Sequence, residues 1–454
     1  MEIDQMESGA NGAGGGGGFR RARCWELICS AAGMLWAKVA GFARKLARIA
    51  RDDPRRVAHS FKVGLALTLV SVLYYVRPLF NNWGVSTMWA VLTTVVVMEY
   101  TVGGTLCKGL NRAFGTLVAG FIAVGAHKVA YLCGDKAEPV LLAIFVFLLS
   151  SAATFSRFIP EVKARYDYGV TIFILTFSLV AVSSYRVVEL IRLAHQRFST
   201  IVVGVATCLC TTIFIFPVWA GEDLHKLAIG NLNKLAEFFE GIESECFREN
   251  ATFENLEAKP FLQVYKSVLN SKATEDSLCN FAKWEPCHGK FKFRHPWSQY
   301  QKLGALSRQC ASSMEALASY VIALTRTEPF PACSQYPEAH PELCLKVRTA
   351  CRQMSLHSAK ALRELSAAMR MMTLPSPANV HMSAAIKAAR GLRDELSEDA
   401  DLVQAMHVAV IASLLSDLVT KTKQITESVD ILARLARFKN PENTQRDVGI
   451  NVVS

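Results

Sequence analysis

The sequence predicts an all-α membrane protein, with six transmembrane helices followed by a cytosolic helical bundle domain. Three observations carry this. Residues 60–220 hold nearly all the long charge-free runs of the chain. Runs of this kind in succession leave no polar face for water, which excludes a soluble helical core. Residues 222–454 are mixed and charged, with apolar residues at helical spacing. Lys and Arg gather near the ends of the apolar runs, and the 454-residue chain carries a net charge of +11.

Residues 1–23 begin "MEIDQMESGANGAGGGGG", which is acidic and Gly-rich. There is no basic stretch leading into an apolar core, so this is no secretory signal. It reads as a disordered tail. Residues 24–56 form a basic amphipathic juxtamembrane segment. Trp25, Ile28, Leu35, Trp36, Val39, Phe42, Leu46 and Ile49 recur at helical spacing, with Arg44, Lys45, Arg48 and Arg51 among them. Such a helix suits a membrane surface or the face of a soluble domain. Pro54 breaks it, because Asp53 before a proline is pushed out of helical geometry.

The pore domain spans 57–221. Its charge-free cores are Val63–Val76, Trp83–Met98, Ala113–Ala126, Pro139–Ser156, Tyr168–Tyr185 and Phe198–Gly221. The last three approach or exceed the roughly 20 residues that cross a bilayer. The first three reach that length only with Lys62, Glu99 and Lys108–Arg112 drawn in, where they snorkel or face a wet interior. Arg44, Lys45, Arg48, Arg51, Arg55 and Arg56 before the first span put the N-terminus in the cytosol. Six spans return the large C-terminal part there. The loop "YRVVELIRLAHQRF" then falls outside, although it holds Arg186, Arg192 and Arg197.

Residues 222–438 read as the cytosolic domain. Leu224, Leu227, Leu235, Phe238, Phe239 and Ile242 mark a helix continuing out of the membrane. Tyr300, Leu303, Leu306, Cys310, Leu317, Val321 and Leu324 mark a second, and 342–373, 382–396 and 400–438 hold further amphipathic helices. Pro-rich breaks fall at 329–341 and 374–377. Residues 281–297 form an aromatic, basic loop, "FAKWEPCHGKFKFRHPW". The tail from 439 to 454 reads as disordered. Thirteen Cys occur without a CxxC pair, as expected of reduced thiols. Cys279, Cys287, His288 and His295 match no standard zinc spacing, so no metal or other cofactor is expected.

A recurring set of cations sits near the span ends: Lys108, Arg112, Arg157, Lys163, Arg165, Arg186, Arg192 and Arg197. An unpaired cation at the bilayer centre costs roughly 2.5–3.5 kcal/mol or more. It persists where water or an anion solvates it, and a basic funnel is what an anion-selective pore requires. The planar fork of Arg also matches a carboxylate. For Arg157, Lys163 and Arg165 the snorkelling or positive-inside reading weighs more. Arg112 and Arg197 favour the pore, since each opens a long apolar helix with no acid nearby in sequence. There is no GxxxxGK[ST] loop for a nucleotide and no acid or His in mid-span to relay protons. That favours passive conduction over pumping, and no catalytic arrangement suggests an enzyme.

The stretches "DPRRVAHSFKVGLALTLVS", "WAVLTTVVVMEYTVGGTLCKGLNR", "FPVWAGEDLHKL" and "FKFRHPW" resemble the plant aluminium-activated malate transporter family, from about Asp53 to Lys439. The resemblance implies a homodimer in the lipid bilayer with a shared basic pore, passing malate and small inorganic anions, chloride and nitrate among them. No nucleic-acid partner is implied. Arg112 of "KGLNR" and Arg197 match the family's pore arginines. Glu285 of "WEP", beside Trp284, matches a residue tied to channel activity, and Lys283, Lys290, Lys292 or Arg294 is its expected ion-pair partner. Residues 214–225, "FIFPVWAGEDLH", resemble a stretch implicated in inhibition by γ-aminobutyrate, which singles out Phe214 and Trp219.

Aluminium-responsive relatives carry acids on the outer face, before the second span and before the sixth. Here those stretches read "LFNNWG" and "YRVVELIRLAHQR", with Glu189 alone between two arginines. Weak or absent aluminium activation is therefore expected. The plasma membrane is the expected location and the vacuolar membrane the alternative. A mainly inorganic-anion channel and a membrane-tethered helical interaction protein are the competing functions.

Overall fold

The computed structural model describes residues 16–76, 88–134, 136–184, 190–247, 259–291, 295–327, 341–398 and 406–440. Helix dominates, and the only β pairings among the described residues are isolated bridges, His288 with Phe291 and Thr373 with Lys439. The chain divides into two units, Met1–Thr68 and Leu69–Ser454.

The first unit holds α1, Gly16–Asp52, and most of α2, Pro54–Tyr75. The expected break at Pro54 is there. Pro54 opens α2, where its missing N–H costs nothing, and the Asp53 carboxylate accepts the Arg55 N–H at 3.2 Å. Helix α1 begins at Gly16, inside the stretch expected to be a Gly-rich tail as far as residue 23. A helix once nucleated extends cheaply, even into residues of poor propensity. Residues 1–15 lie outside the described part.

The second unit begins with a bundle of helices, apolar but for the short charged α6. These are α3 (Met88–Val97), α4 (Val102–Leu132), α5 (Glu138–Ser156), α6 (Pro160–Arg165), α7 (Asp167–Ser184) and α8 (Leu190–Phe214). Among the described residues, three helices are long and apolar enough to cross a membrane: α4, α5 and the His195–Phe214 part of α8. Met88–Val97 and Asp167–Ser183 are shorter apolar helices. The six expected spans thus appear as three full-length helices and shorter segments, with residues 77–87 and 185–189 outside the description. Helix α4 packs against α5, α7 and α8, and α3 packs against α8. Small residues let α4 and α7 approach closely. A Cβ on Gly115 would lie 2.7 Å from the Gly169 carbonyl. Outward from this bundle, Phe121, Phe147 and Phe155 are exposed, as lipid-facing residues would be.

The helix expected to continue from the sixth span into the next domain does not. Helix α8 stops at Phe214 and α9, Ala220–Cys246, starts afresh. Pro217 is the cause. It disfavours helical geometry at Phe216, which takes φ 44°. The domain boundary expected at 221/222 therefore falls in the first turn of α9.

The remainder comprises a 3₁₀ turn at Pro260–Gln263, α10 (Val264–Leu269), α11 (Lys272–Ala282), α12 (Trp297–Thr327), α13 (Pro341–Met371), α14 (Ser376–Glu398) and α15 (Met406–Leu435). The apolar stripes read from the sequence form one core. Leu224, Leu235, Phe238, Phe239 and Ile242 meet Tyr300, Leu303, Cys310 and Leu317, all buried. Helix α13 is central, packing on α9, α14 and α15. Lys439, the first residue of the expected tail, is tied to the fold. The Lys439 N–H donates to the Met372 carbonyl at 2.9 Å, and the Leu374 N–H donates to the Lys439 carbonyl at 3.0 Å. Residues 441–454 lie outside the described part.

Candidate functional site

Two places in the second unit gather the residues singled out by the sequence. The first is a cleft among α3, α4, α7 and α8. Arg112 of α4 is buried, with 3% of its surface exposed. Its Nε donates to the Thr93 hydroxyl of α3 at 3.0 Å, and its Nη1 to the Tyr168 hydroxyl of α7 at 3.2 Å. The Thr93 hydroxyl is free to accept because its own proton goes to the Trp89 carbonyl at 2.6 Å. Both partners are hydroxyls, so neither bond pairs the guanidinium with a carboxylate. Arg197 of α8 lies over the Trp89 ring, 4.9 Å from its centroid. Its Nε makes no hydrogen bond. Arg112 and Arg197 line the same cleft, with Trp89, Ile172, Thr176 and Ile201.

The other cations of the expected funnel are held differently, although Lys108 stays close to Arg112, 5.9 Å from the centroid of the Tyr168 ring. Lys108 is ion-paired with Glu99, which the sequence leaves nine residues away across a helix start. Arg157 grips Asp167 through two bonds, of 2.6 and 3.0 Å. These two are neutralised rather than free. Lys163 is exposed in the last turn of α6. Arg165 stands over Tyr166 and Trp284, 5.7 and 5.3 Å from the ring centroids. Arg186 lies outside the described residues.

The second place is the junction around Glu285. Helix α11 ends at Ala282, and a turn closed by the Glu285 N–H on the Ala282 carbonyl (3.2 Å) swings the side chain inward. The expected ion pair with Lys283 or Lys290 does not form; Lys292 and Arg294 lie outside the described residues. The carboxylate, 1% exposed, instead accepts backbone N–H groups. Gly103 donates at 3.3 Å, Ala220 at 2.6 Å and Gly221 at 3.0 Å. Gly103 lies in the first turn of α4, and Ala220 and Gly221 open α9. Helix starts leave N–H groups without intrahelical partners and carry partial positive charge, so one carboxylate satisfies two of them at once.

The N–H groups of the first three residues of α4 all find partners. The Val102 N–H goes to the Val218 carbonyl at 2.9 Å, Gly103 to Glu285, and Gly104 to the Thr101 hydroxyl at 3.1 Å. Close approach requires Gly103, since a Cβ there would lie 2.8 Å from Glu285 Cγ and strike the Phe281 carbonyl. Burial pushes the Glu285 carboxyl above its ordinary range, while the Gly221 and Ala220 amides, His288 and the Gly103 amide pull it back down.

Aromatic residues enclose this carboxylate. Trp219 stacks on His288 at 3.9 Å between centroids, with an angle of 8° between the rings. The His288 Nε2 lies 3.8 Å from Glu285. Trp284 meets Tyr166 edge-on at 6.5 Å, so Arg165 belongs to this junction. Phe214, at the end of α8, is exposed and stands apart from it. Behind the junction, His225 bonds the Tyr300 hydroxyl at 2.8 Å and the Met369 carbonyl at 3.0 Å. Burial lowers the pKa of both His225 and His295 to about 4.

Sequence reasoning missed Thr93, Tyr168 and Trp89 in the cleft, and Gly103, Val218, Ala220 and His288 at the junction. Only the Gly103–Gly104 pair at a helix start signalled a close backbone approach.

The family model described as "Aluminium activated malate transporter" matches residues 47–403. The chain is 66% identical over 436 residues to Aluminum-activated malate transporter 1 of Triticum aestivum, covering 95% of this chain and 94% of that protein. It is 46% identical over 416 residues to Aluminum-activated malate transporter 2 of Arabidopsis thaliana, covering 90% and 81%. Against Aluminum-activated malate transporter 1 of Arabidopsis thaliana it is 43% identical over 413 residues, covering 89% and 81%. With a family model matched across most of its length and relatives alike from end to end, the chain belongs to the aluminium-activated malate transporter family.

Proposed function

We propose that the protein is a passive channel for malate and small inorganic anions, chloride and nitrate, in the plasma membrane. One observation carries this reading. Arg112 and Arg197 converge on a single cleft, and the groups they touch are hydroxyls and a tryptophan ring, not carboxylates. Two uncompensated guanidinium groups draw an anion and discourage a cation. The relatives' names, which specify malate, support that dicarboxylate as the organic cargo. The chain acts as a homodimer, with Arg112 and Arg197 in the conducting path and both termini in the cytosol. Glu285 and Trp284 couple the C-terminal bundle to the pore, and γ-aminobutyrate inhibits through the stretch containing Phe214 and Trp219.

Aluminium activates this chain weakly or not at all. Al³⁺ needs several oxygen ligands converging, as hard cations of lower charge already do. The acids in the expected outer loops are Asp135, Glu138 and Glu189. The carboxylate of Glu138 already faces His127 at 3.4 Å. The decisive experiment is patch-clamp recording with malate on one side and chloride on the other, with and without Al³⁺. The expected result is anion current without aluminium and a reversal potential set by malate and chloride. Purified protein that passes no current in liposomes would support a membrane-tethered interaction protein instead.

A further inference from the structure

We propose that α1 is an anionic-lipid-binding helix, lying along the membrane surface with the stripe Leu35, Val39, Phe42 and Leu46 in the headgroup region. The inference rests on the reading of the chain as a membrane protein and goes beyond it. These four residues are 65, 50, 63 and 51% exposed. Their spacing of four, three and four residues puts them on one narrow face of the helix. Trp36 and Met34, 74 and 63% exposed, flank that stripe on its two sides. A helix with such a face uncovered needs an apolar occupant.

Charge decides which one. From Leu27 to Arg51 the sequence has no Asp or Glu, while Lys38, Arg44, Lys45, Arg48 and Arg51 are all cationic. Lys38 and Lys45 border the stripe, where their stems run along apolar surface and their ammonium groups reach outward. Arg44, Arg48 and Arg51 share the opposite face, and the Arg44 Nε bonds only a carbonyl of its own helix, Ala40, at 3.3 Å. The same spacing would also serve a coiled coil with a second copy. Two such helices side by side would double the positive charge and offer no acid to offset it. A bilayer surface bearing phosphatidylserine or similar lipids supplies both the apolar layer and the negative charge. It is also always at hand. Only Asp53 separates α1 from α2, which carries the first expected span, so the encounter is intramolecular and no free partner competes at equal effective concentration.

The test uses the full chain with the photoreactive residue p-benzoylphenylalanine in place of Phe42. It is reconstituted into vesicles of phosphatidylcholine alone or with phosphatidylserine, and alkaline extraction establishes membrane insertion. Illumination is expected to give lipid adducts, several-fold more abundant with phosphatidylserine. The triple variant Lys38→Glu, Lys45→Glu, Arg48→Glu should lose that excess while retaining anion current. Equal adducts in both vesicles, a crosslink to a second copy, or a crosslink into residues 222–438 would overturn the proposal. So would capture by added calcium-loaded calmodulin in place of lipid. Failure of the crosslink with current intact sinks this inference alone. A chain that extracts as soluble protein removes the membrane reading as well.

Discussion

Replacing Glu285 with Gln tests the junction most directly. The side chain keeps its shape but loses its charge, and half of its polar head becomes an N–H₂ donor. That donor then faces backbone N–H groups of Ala220, Gly221 or Gly103, which lie 2.6, 3.0 and 3.3 Å from the carboxylate oxygens. A hydrogen bond to a charged group contributes about 1.5–3 kcal/mol and a neutral one about 0.5–1.5 kcal/mol, so each bond weakens by about 1 kcal/mol. Loss of the favourable charge at two helix starts removes about 0.3–1 kcal/mol for each helix. Relief of the buried charge returns part of this, leaving a net loss of about 3 kcal/mol. At 1.4 kcal/mol per factor of ten, the equilibrium between joined and separated helix starts shifts by roughly a hundredfold.

The assay is single-channel recording beside a thermal unfolding measurement on purified protein. Open probability should fall steeply, with unitary current and malate-to-chloride permeability ratio unchanged. Glu285→Asp should fall between, because a side chain one methylene shorter reaches one helix start and not both. A changed permeability ratio with normal open probability would place Glu285 in the conducting path and refute the argument. So would an unchanged open probability in a variant whose unfolding temperature has dropped.

The remaining expectations concern selectivity, aluminium and pH. Arg112→Glu and Arg197→Glu should strongly reduce anion current at unchanged surface abundance, whereas Lys108→Gln and Arg157→Gln, whose cations are already paired, should leave the reversal potential where it is. External Al³⁺ should raise the current weakly at most, and the double variant Val188→Glu, Arg192→Glu should create or enlarge a response by adding acids close to Glu189 in the sequence. A large native response untouched by changes at Asp135, Glu138 and Glu189 would show that the ion is sensed elsewhere. The contribution of His225 and His295 to stability should be flat above about pH 6.5 and fall as the pH drops towards 4, because both titrate near 4 when folded and near 6.5 when exposed. The unfolded chain binds more protons in that window, at up to about 1.4 kcal/mol per pH unit for each ring. Unfolding curves across this range should flatten in His225→Gln.

What the sequence could reveal tracks how local each cause is. The apolar stripes of α9 and α12 were legible because burial of Leu224, Phe238, Tyr300 and Leu317 needs only helical periodicity. The break at Pro54 was legible because proline acts on its immediate neighbours. The break at Pro217 has the same chemistry but was read through, since the apolar run from Phe198 masked it. Arg112 and Arg197 stood out because no acid is near them in sequence. Lys108 stands with them in the sequence as a cation near a span end, and its ion pair with Glu99 is not legible there, because Glu99 returns to it across the Thr101 cap of α4. The role of Glu285 was hidden because its partners are backbone amides, which every residue type but proline carries. Composition points to Lys283 and Lys290; only the fold brings Gly103 and Ala220 to the carboxylate.

The same distinction bears on selectivity. On the proposed reading of the cleft as the pore, the positive charge at Arg112 and Arg197 is fixed by the chain and would attract chloride, nitrate and malate alike. What separates these anions must then come from neutral groups. Thr93 and Tyr168 hold the Arg112 fork through two of its nitrogens, which fixes the direction in which its remaining N–H groups point. A rigid, planar donor set rewards a planar carboxylate more than a spherical chloride, because two parallel bonds form without further ordering of the side chain. Tyr168→Phe removes one support and leaves the charge intact. Total anion current should persist, while the malate-to-chloride permeability ratio falls. A ratio unchanged in Tyr168→Phe, with the current also unchanged, would mean that charge alone governs passage at Arg112 and that malate is selected elsewhere.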